Sequence, residues 1–162
     1  MPRERQCHFP ALVVYNLNHL GLADVDRRAA KLRTVRHLLK HHKIVGLQEL
    51  YAASELEANA LFFDHLDATV FYDASLNLAI LVDTTWLDEH FATHNVQITH
   101  TQVVPGAIHA ISWRSPMGTC YFFNVYLHPF NRQRTFNRRQ SCYFIQSFNI
   151  ISYRSFFVLY LY

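Results

Sequence analysis

No aspartate or glutamate occurs after Glu89. The stretch before His90 holds nine basic and twelve acidic residues, a formal −3, and the stretch after it six arginines and no acid, +6. The overall charge of +3 hides that asymmetry, which allows a polyanionic partner for the second part. It also excludes any site that draws a carboxylate from there. Cysteine is scarce: Cys7, Cys120 and Cys142 are far apart and odd in number, with no Cys-x-x-Cys. A disulfide framework is therefore not expected, and a reducing compartment is. Eleven histidines are scattered without His-Glu-x-x-His or a close Cys/His set, which disfavours a zinc protein. The charged N-terminus is followed by no apolar run that would make a secretory signal, so an intracellular location is the expectation. Internal repeats and low-complexity linkers are missing too.

What is present is globular. An apolar content of 51% with 15% aromatic residues excludes a disordered or collagenous chain. At 162 residues the length suits one domain with a sizeable core. The run Ala11-Leu12-Val13-Val14-Tyr15 predicts a buried strand. Asn16, Asn18 and Gly21 end it, and Asp24 or Asp26 can cap a helix running to about His42. Ala29, Leu32, Val35, Leu38 and Leu39 give that helix one apolar face. Its many Arg and Lys residues fit a solvated face or a nucleic-acid contact. Ile44–Leu50 predicts a second buried strand, which makes a right-handed crossover unit. A helix over Ser54–Leu66 and strands over Ala68–Tyr72 and Leu76–Val82 follow. Asp83–His90 is expected to be a polar loop or a short helical turn around Trp86. Beyond Asn95 the texture is all strand, punctuated by Pro105-Gly106 and by Ser115-Pro116-Met117-Gly118. The order β-α-β-α followed by a β meander suits two packed sheets with outer helices.

Glu49 closes the second strand, and a carboxylate at the end of a buried strand needs compensation. A hard divalent cation would supply it, and so would a salt bridge or exposure to water. The last 22 residues, Ser141–Tyr162, differ from the rest: fifteen are apolar, largely Phe, Tyr and Ile, with four serines. Gln146, Asn149 and Arg154 argue against a bilayer span, so no membrane partner is expected. Periodicity there is poor, and the tail is expected to be an irregular or helical extension outside the core, lying against the sheet edge.

Three segments line up in order. The first strand ends Tyr15-Asn16-Leu17-Asn18-His19-Leu20, the second ends Leu47-Gln48-Glu49, and a later strand reads Phe122-Phe123-Asn124-Val125-Tyr126-Leu127-His128-Pro129. Between them Leu76–Val82 has the look of an inner strand. In this order, from about Ala11 to Gln140, the segments resemble the endonuclease/exonuclease/phosphatase superfamily. The Asn-x-Asn ending and the Asn-Val-Tyr strand look most like the endonuclease domains of non-LTR retrotransposons. The resemblance implies an α/β fold, here an incomplete four-layer α/β sandwich over residues 9–140, with residues 141–162 outside the family fold. It implies phosphodiester cleavage with Mg²⁺ or Mn²⁺, DNA as partner and a possible nuclear location.

Carried across, Glu49 is the metal ligand, with Asn18 where many family members have a metal-binding Asp. Asn16 would hold the phosphate or the nucleophilic water; closing the turn after the first strand is its other role. Tyr126 would donate to the phosphate or shape the site, or serve as an ordinary strand aromatic. His128 is a substitute donor or a loop residue. Arg132, Arg134, Arg138 and Arg139 would make weak, salt-dependent phosphate contacts. The family's Gly-Asp-x-Asn and terminal Ser-Asp-His cannot be present without acids after Glu89. The expectation is therefore a truncated, inactive domain. The competing readings are a non-catalytic nucleic-acid- or metal-binding remnant and a phosphatase-type member acting on phosphoesters.

Overall fold

The computed structural model describes residues 10–94, 97–115, 118–126 and 156–161. Two four-stranded sheets pack face to face, with helices against the outer face of the first. In chain order the elements are β1 (Leu12–Asn16), α1 (Val25–His41), β2 (Ile44–Gln48), α2 (Glu55–Leu61), a 3₁₀ turn (Phe63–His65), β3 (Ala68–Tyr72), β4 (Leu78–Asp83), α3 (Thr84–His94), β5 (Thr99–Val104), β6 (Ile108–Ser115), β7 (Gly118–Val125) and β8 (Phe156–Leu161).

The first sheet runs β1-β2-β4-β3. β1 and β2 are parallel through the α1 crossover, and β4 is antiparallel to both β2 and β3. Every residue of β2 is buried, because both faces of this strand are covered. Its Val45 and Leu47 join Leu32, Val35 and Leu39 of α1 and Phe62, Phe63 and Leu81 in one core. Its Ile44 joins Ile80, Val82, Ile111, Trp113, Cys120 and Phe122 in a second core between the sheets. The period-2 alternation of side chains assigns consecutive residues of one strand to different cores.

Local chemistry sets the helix starts. Asp24 is the N-cap of α1 and accepts from the Arg27 backbone N–H at 3.0 Å, and Ser54 does the same for α2 from the Glu57 N–H at 3.2 Å. The predicted Ser54–Leu66 helix is interrupted: Phe62 leaves helical geometry, with φ −136, and a 3₁₀ turn follows. Asp83–His90, expected to be a polar loop or a short helical turn around Trp86, is helical from Thr84 and extends further, as α3. Asp83, the last residue of β4, accepts from the Trp86 N–H at 2.7 Å, so a strand residue also caps a helix. The Trp86 ring then meets Trp113 edge-on at 6.2 Å.

The second sheet is an antiparallel meander, β5-β6-β7-β8. The tail lies against a sheet edge as expected, but as a strand and not an irregular or helical extension: Phe156–Leu161 pair with β7, Thr119 opposite Leu161 and Asn124 opposite Phe156. Phe-Phe-Val-Leu-Tyr-Leu is a strand-forming run, and β7 offers it an edge to pair with. Among the described residues no helix is long and apolar enough to cross a membrane.

A buried polar cluster bolts the two sheets together. Gln48 Nε2 donates to Asn124 Oδ1 at 3.1 Å and to the Val125 carbonyl at 2.8 Å. Asn124 Nδ2 donates to the carbonyls of Leu47 at 2.9 Å and Ala79 at 3.1 Å. Gly46 makes room for it. A Cβ there would stand 3.0 Å from Asn124 Cγ and 3.0 Å from Val14 Cγ2.

Candidate functional site

β1 and β2 end side by side, with Asn16 in register with Gln48. Beyond them the chain continues as two loops stitched by backbone hydrogen bonds. The Leu17 N–H donates to the Gln48 carbonyl (2.9 Å), that of His19 to Glu49 (2.8 Å) and that of Leu20 to Leu50 (3.1 Å). The Leu50 N–H in turn donates to the Asn77 carbonyl at 3.1 Å, bringing in the segment before β4.

Backbone strain concentrates at this end. Among the described residues, the non-glycine ones with left-handed φ are Asn18 (47), His19 (75), Glu49 (58), Tyr51 (51) and Leu76 (53), all in these three segments. Each such residue costs on the order of 1–3 kcal/mol and persists only where its surroundings hold it, a pattern that marks functional sites. Positive charge from α1 helps to hold this one. Lys31 Nζ donates to the carbonyl of Asn18 at 2.8 Å and to that of His19, and Arg27 Nη2 reaches the Asn18 carbonyl at 3.5 Å. Partial burial, with Arg27 nearby, lowers the Lys31 pKa from its ordinary value.

Glu49 and Tyr126 come together here from positions 77 residues apart: the Tyr126 hydroxyl donates to Glu49 Oε1. Tyr126 follows β7, and its N–H is fixed on the Ala107 carbonyl at 2.7 Å. Burial, then the hydrogen bond to Glu49 and the carboxylate charge, push the phenol pKa well up. Tyr126 therefore remains a protonated donor at neutral pH. The Tyr51 ring lies 5.7 Å from that of His19 beside this pair.

Asn16 is exposed, and its Oδ1 accepts from the Asn18 N–H at 2.8 Å, the turn-closing role. Asn18 is exposed in the same loop. The site residues thus share one end of the first sheet, and the structure brings Glu49 and Tyr126 into direct contact. His128, Arg132, Arg134, Arg138 and Arg139 lie outside the described residues.

No family model matches the chain, and no curated protein or solved structure matches it.

Among the described residues no three His, Cys, Asp or Glu side chains gather to hold a metal ion. The donors this end offers include the Glu49 carboxylate and the side-chain amides of Asn16 and Asn18. That set fits a hydrated Mg²⁺, which uses one or two carboxylates and keeps several waters. It does not fit a closed site for a borderline ion such as Zn²⁺.

Sequence reasoning missed three contributors. Lys31 reads as one more charge on a helix face, yet it staples the Asn18–His19 loop. Asn124 was legible as a polar residue inside an apolar strand, which requires a partner. The third is Asp73, fully buried in the β3–β4 turn. Its Oδ2 accepts from the N–H groups of Ser75 (3.2 Å) and Gly106 (3.0 Å) and from the Ser75 hydroxyl. Near it lies His109, also fully buried, with neither ring nitrogen partnered among the described residues.

Proposed function

We propose that this end of the first sheet is a metal-assisted phosphodiester site of the endonuclease/exonuclease/phosphatase type, in a reduced form that binds a cation and phosphate but turns over near background. The observation that carries the proposal is the Glu49 carboxylate, held at a strand end in a left-handed conformation and hydrogen-bonded by Tyr126. Buried aliphatic strands, strained loops and a protonated phenol preorganise that carboxylate. The two packed sheets with helices outside the first are compatible with the four-layer sandwich of that superfamily.

In this reading Glu49, with waters, holds Mg²⁺ or Mn²⁺, and Asn18 stands in the adjoining loop. A bound ion would polarise a scissile phosphate and stabilise the leaving oxygen. Tyr126 orients the carboxylate and offers a donor toward a phosphate oxygen. Asn16, with its oxygen engaged by Asn18, presents its amide N–H₂. DNA is the proposed polyanion, drawn by the basic residues of α1 and by the acid-free second part. Reduced turnover follows from the acid-free second part: no carboxylate after Glu89 is there to activate a water, a loss typically of about 10²–10⁴-fold.

A test pairs binding with turnover. Mn²⁺ titration followed by electron paramagnetic resonance should show a site in the wild type that Glu49→Ala removes. With supercoiled plasmid and Mg²⁺, both proteins should nick equally and negligibly. Mg²⁺-dependent nicking abolished by Glu49→Ala would mean a complete site and overturn the reduced one. Equal Mn²⁺ binding by both proteins would overturn the proposal itself.

A further inference from the structure

We propose that His37 and His41 form a surface site for a divalent transition-metal ion with a preference for imidazole, at the last turns of α1 and separate from Glu49. The two residues are four apart on a 17-residue helix, the spacing that puts side chains over one another on one face. Their ring centroids lie 4.7 Å apart with an interplanar angle of 58°, and both residues are exposed. The roll of the helix is fixed by Leu32, Val35 and Leu39, which are buried against the sheet.

Two nitrogens bound to one ion at about 2.0–2.1 Å are at most about 4 Å apart. Tilted rings with centroids 4.7 Å apart reach that separation by side-chain rotation alone. The adjoining His42 does not share the face of the pair, because it follows His41 directly and has left helical geometry, with φ −131. The site therefore offers two protein nitrogens and leaves the remaining positions to water.

Two electrostatic influences compete at this position. The C-terminal end of a helix carries partial negative charge and favours a cation. Arg33, Arg36 and Lys40 on the same helix oppose one, although the Arg36 guanidinium is turned to the His65 carbonyl at 3.0 Å. With no carboxylate at the pair among the described residues, Mg²⁺ and Ca²⁺ gain nothing there. Cu²⁺, and more weakly Ni²⁺ and Zn²⁺, gain enough from two imidazoles to overcome the like charge. A bound ion would clamp the last turn of α1, which leads through His42 and Lys43 into β2, and so stabilise the fold.

The test uses the full chain and Cu²⁺ alone as probe, in wild type, His37→Gln, His41→Gln, the double variant and Glu49→Ala. Electron paramagnetic resonance of the wild type should show one copper with two equivalent imidazole nitrogens. Either single substitution should weaken binding on the order of 10²-fold, since the second contact of a chelate is made at high effective concentration. Glu49→Ala should bind as wild type does. Circular dichroism checks that the exposed substitutions leave the fold intact, and sub-stoichiometric Ni²⁺ should raise the wild-type Tm but not that of the double variant. Wild-type copper affinity in the double variant, or a single-nitrogen signal in the wild type, would overturn the proposal.

Discussion

Two buried polar clusters link the sheets, and they differ in how fully they are satisfied. In the Gln48–Asn124 bolt each NH₂ group makes two bonds, to partners 2.8–3.1 Å away. In the Asp73–His109 cluster Asp73 Oδ2 has three donors, whereas Asp73 Oδ1 and both His109 nitrogens have no partner among the described residues. The clusters adjoin, since His109 on β6 is in register with Asn124 on β7. Neutral amides cross the interface with donors and acceptors balanced and nothing that titrates. A buried imidazole beside them makes that part of the interface sensitive to protons.

Removing Asn124 should have the largest effect. Asn124→Ala leaves a cavity and orphans Gln48, so unfolding in urea should show a loss of about 3–5 kcal/mol. A loss below about 1 kcal/mol would mean that the bolt is incidental to the docking of the sheets.

The second cluster should respond to pH instead. Burial pushes the His109 pKa down to about 4, with the Asp73 charge opposing and His100 reinforcing the shift. Between pH 6.5 and 4 the unfolded chain therefore binds the proton that the folded chain refuses. This contribution is complete above pH 6.5 and is lost as the pH falls toward 4, by up to about 3 kcal/mol. Urea melts at pH 7.5, 6 and 4.5 should show the loss in wild type, and His109→Leu should show less of it. An unchanged pH profile in His109→Leu would mean that other groups carry the acid sensitivity.

Gly46→Ala sharpens the contrast, because its Cβ would collide with the bolt. The expected cost is about 1–3 kcal/mol. It should be smaller in an Asn124→Ala background, where the obstructing side chain is gone; additive effects would show that Val14 alone is the obstacle.

The smallest effect is expected at the candidate site. Tyr126→Phe removes the hydroxyl from Glu49 and should destabilise the fold by only about 1 kcal/mol. Mn²⁺ affinity should change more visibly, because the carboxylate loses its orienting partner. Differential scanning calorimetry and Mn²⁺ titration on one preparation would separate the two effects.

Much of the first sheet was legible. Apolar runs flanked by Asn, Gly and capping residues placed β1, α1, β2, β3 and β4 within a few residues of where they lie. Of helix α3 only a helical turn around Trp86 was legible, as one of two alternatives, because its N-cap is Asp83, the end of a strand, and its packing depends on Trp113 across the interface. The strand at Phe156–Leu161 was missed because its pairing partner is distant and its own periodicity is weak. At the site, the motif order pointed to Glu49 and Tyr126. The role of Lys31 and the clearance at Gly46 had no local signal.

The sequence by itself determined what depends on neighbours within about four residues: the caps at Asp24 and Ser54, the apolar face of α1, and the all-buried character of β2. Only the tertiary structure decided that Gly46 would face Asn124, that Asp73 and His109 would be buried together, and that the Glu49 carboxylate would meet the Tyr126 hydroxyl. Periodicity and capping arise from backbone geometry repeated along the chain. Those later contacts join segments up to 78 residues apart, and they form only because closing the loops between them is outweighed by burying two sheets against each other.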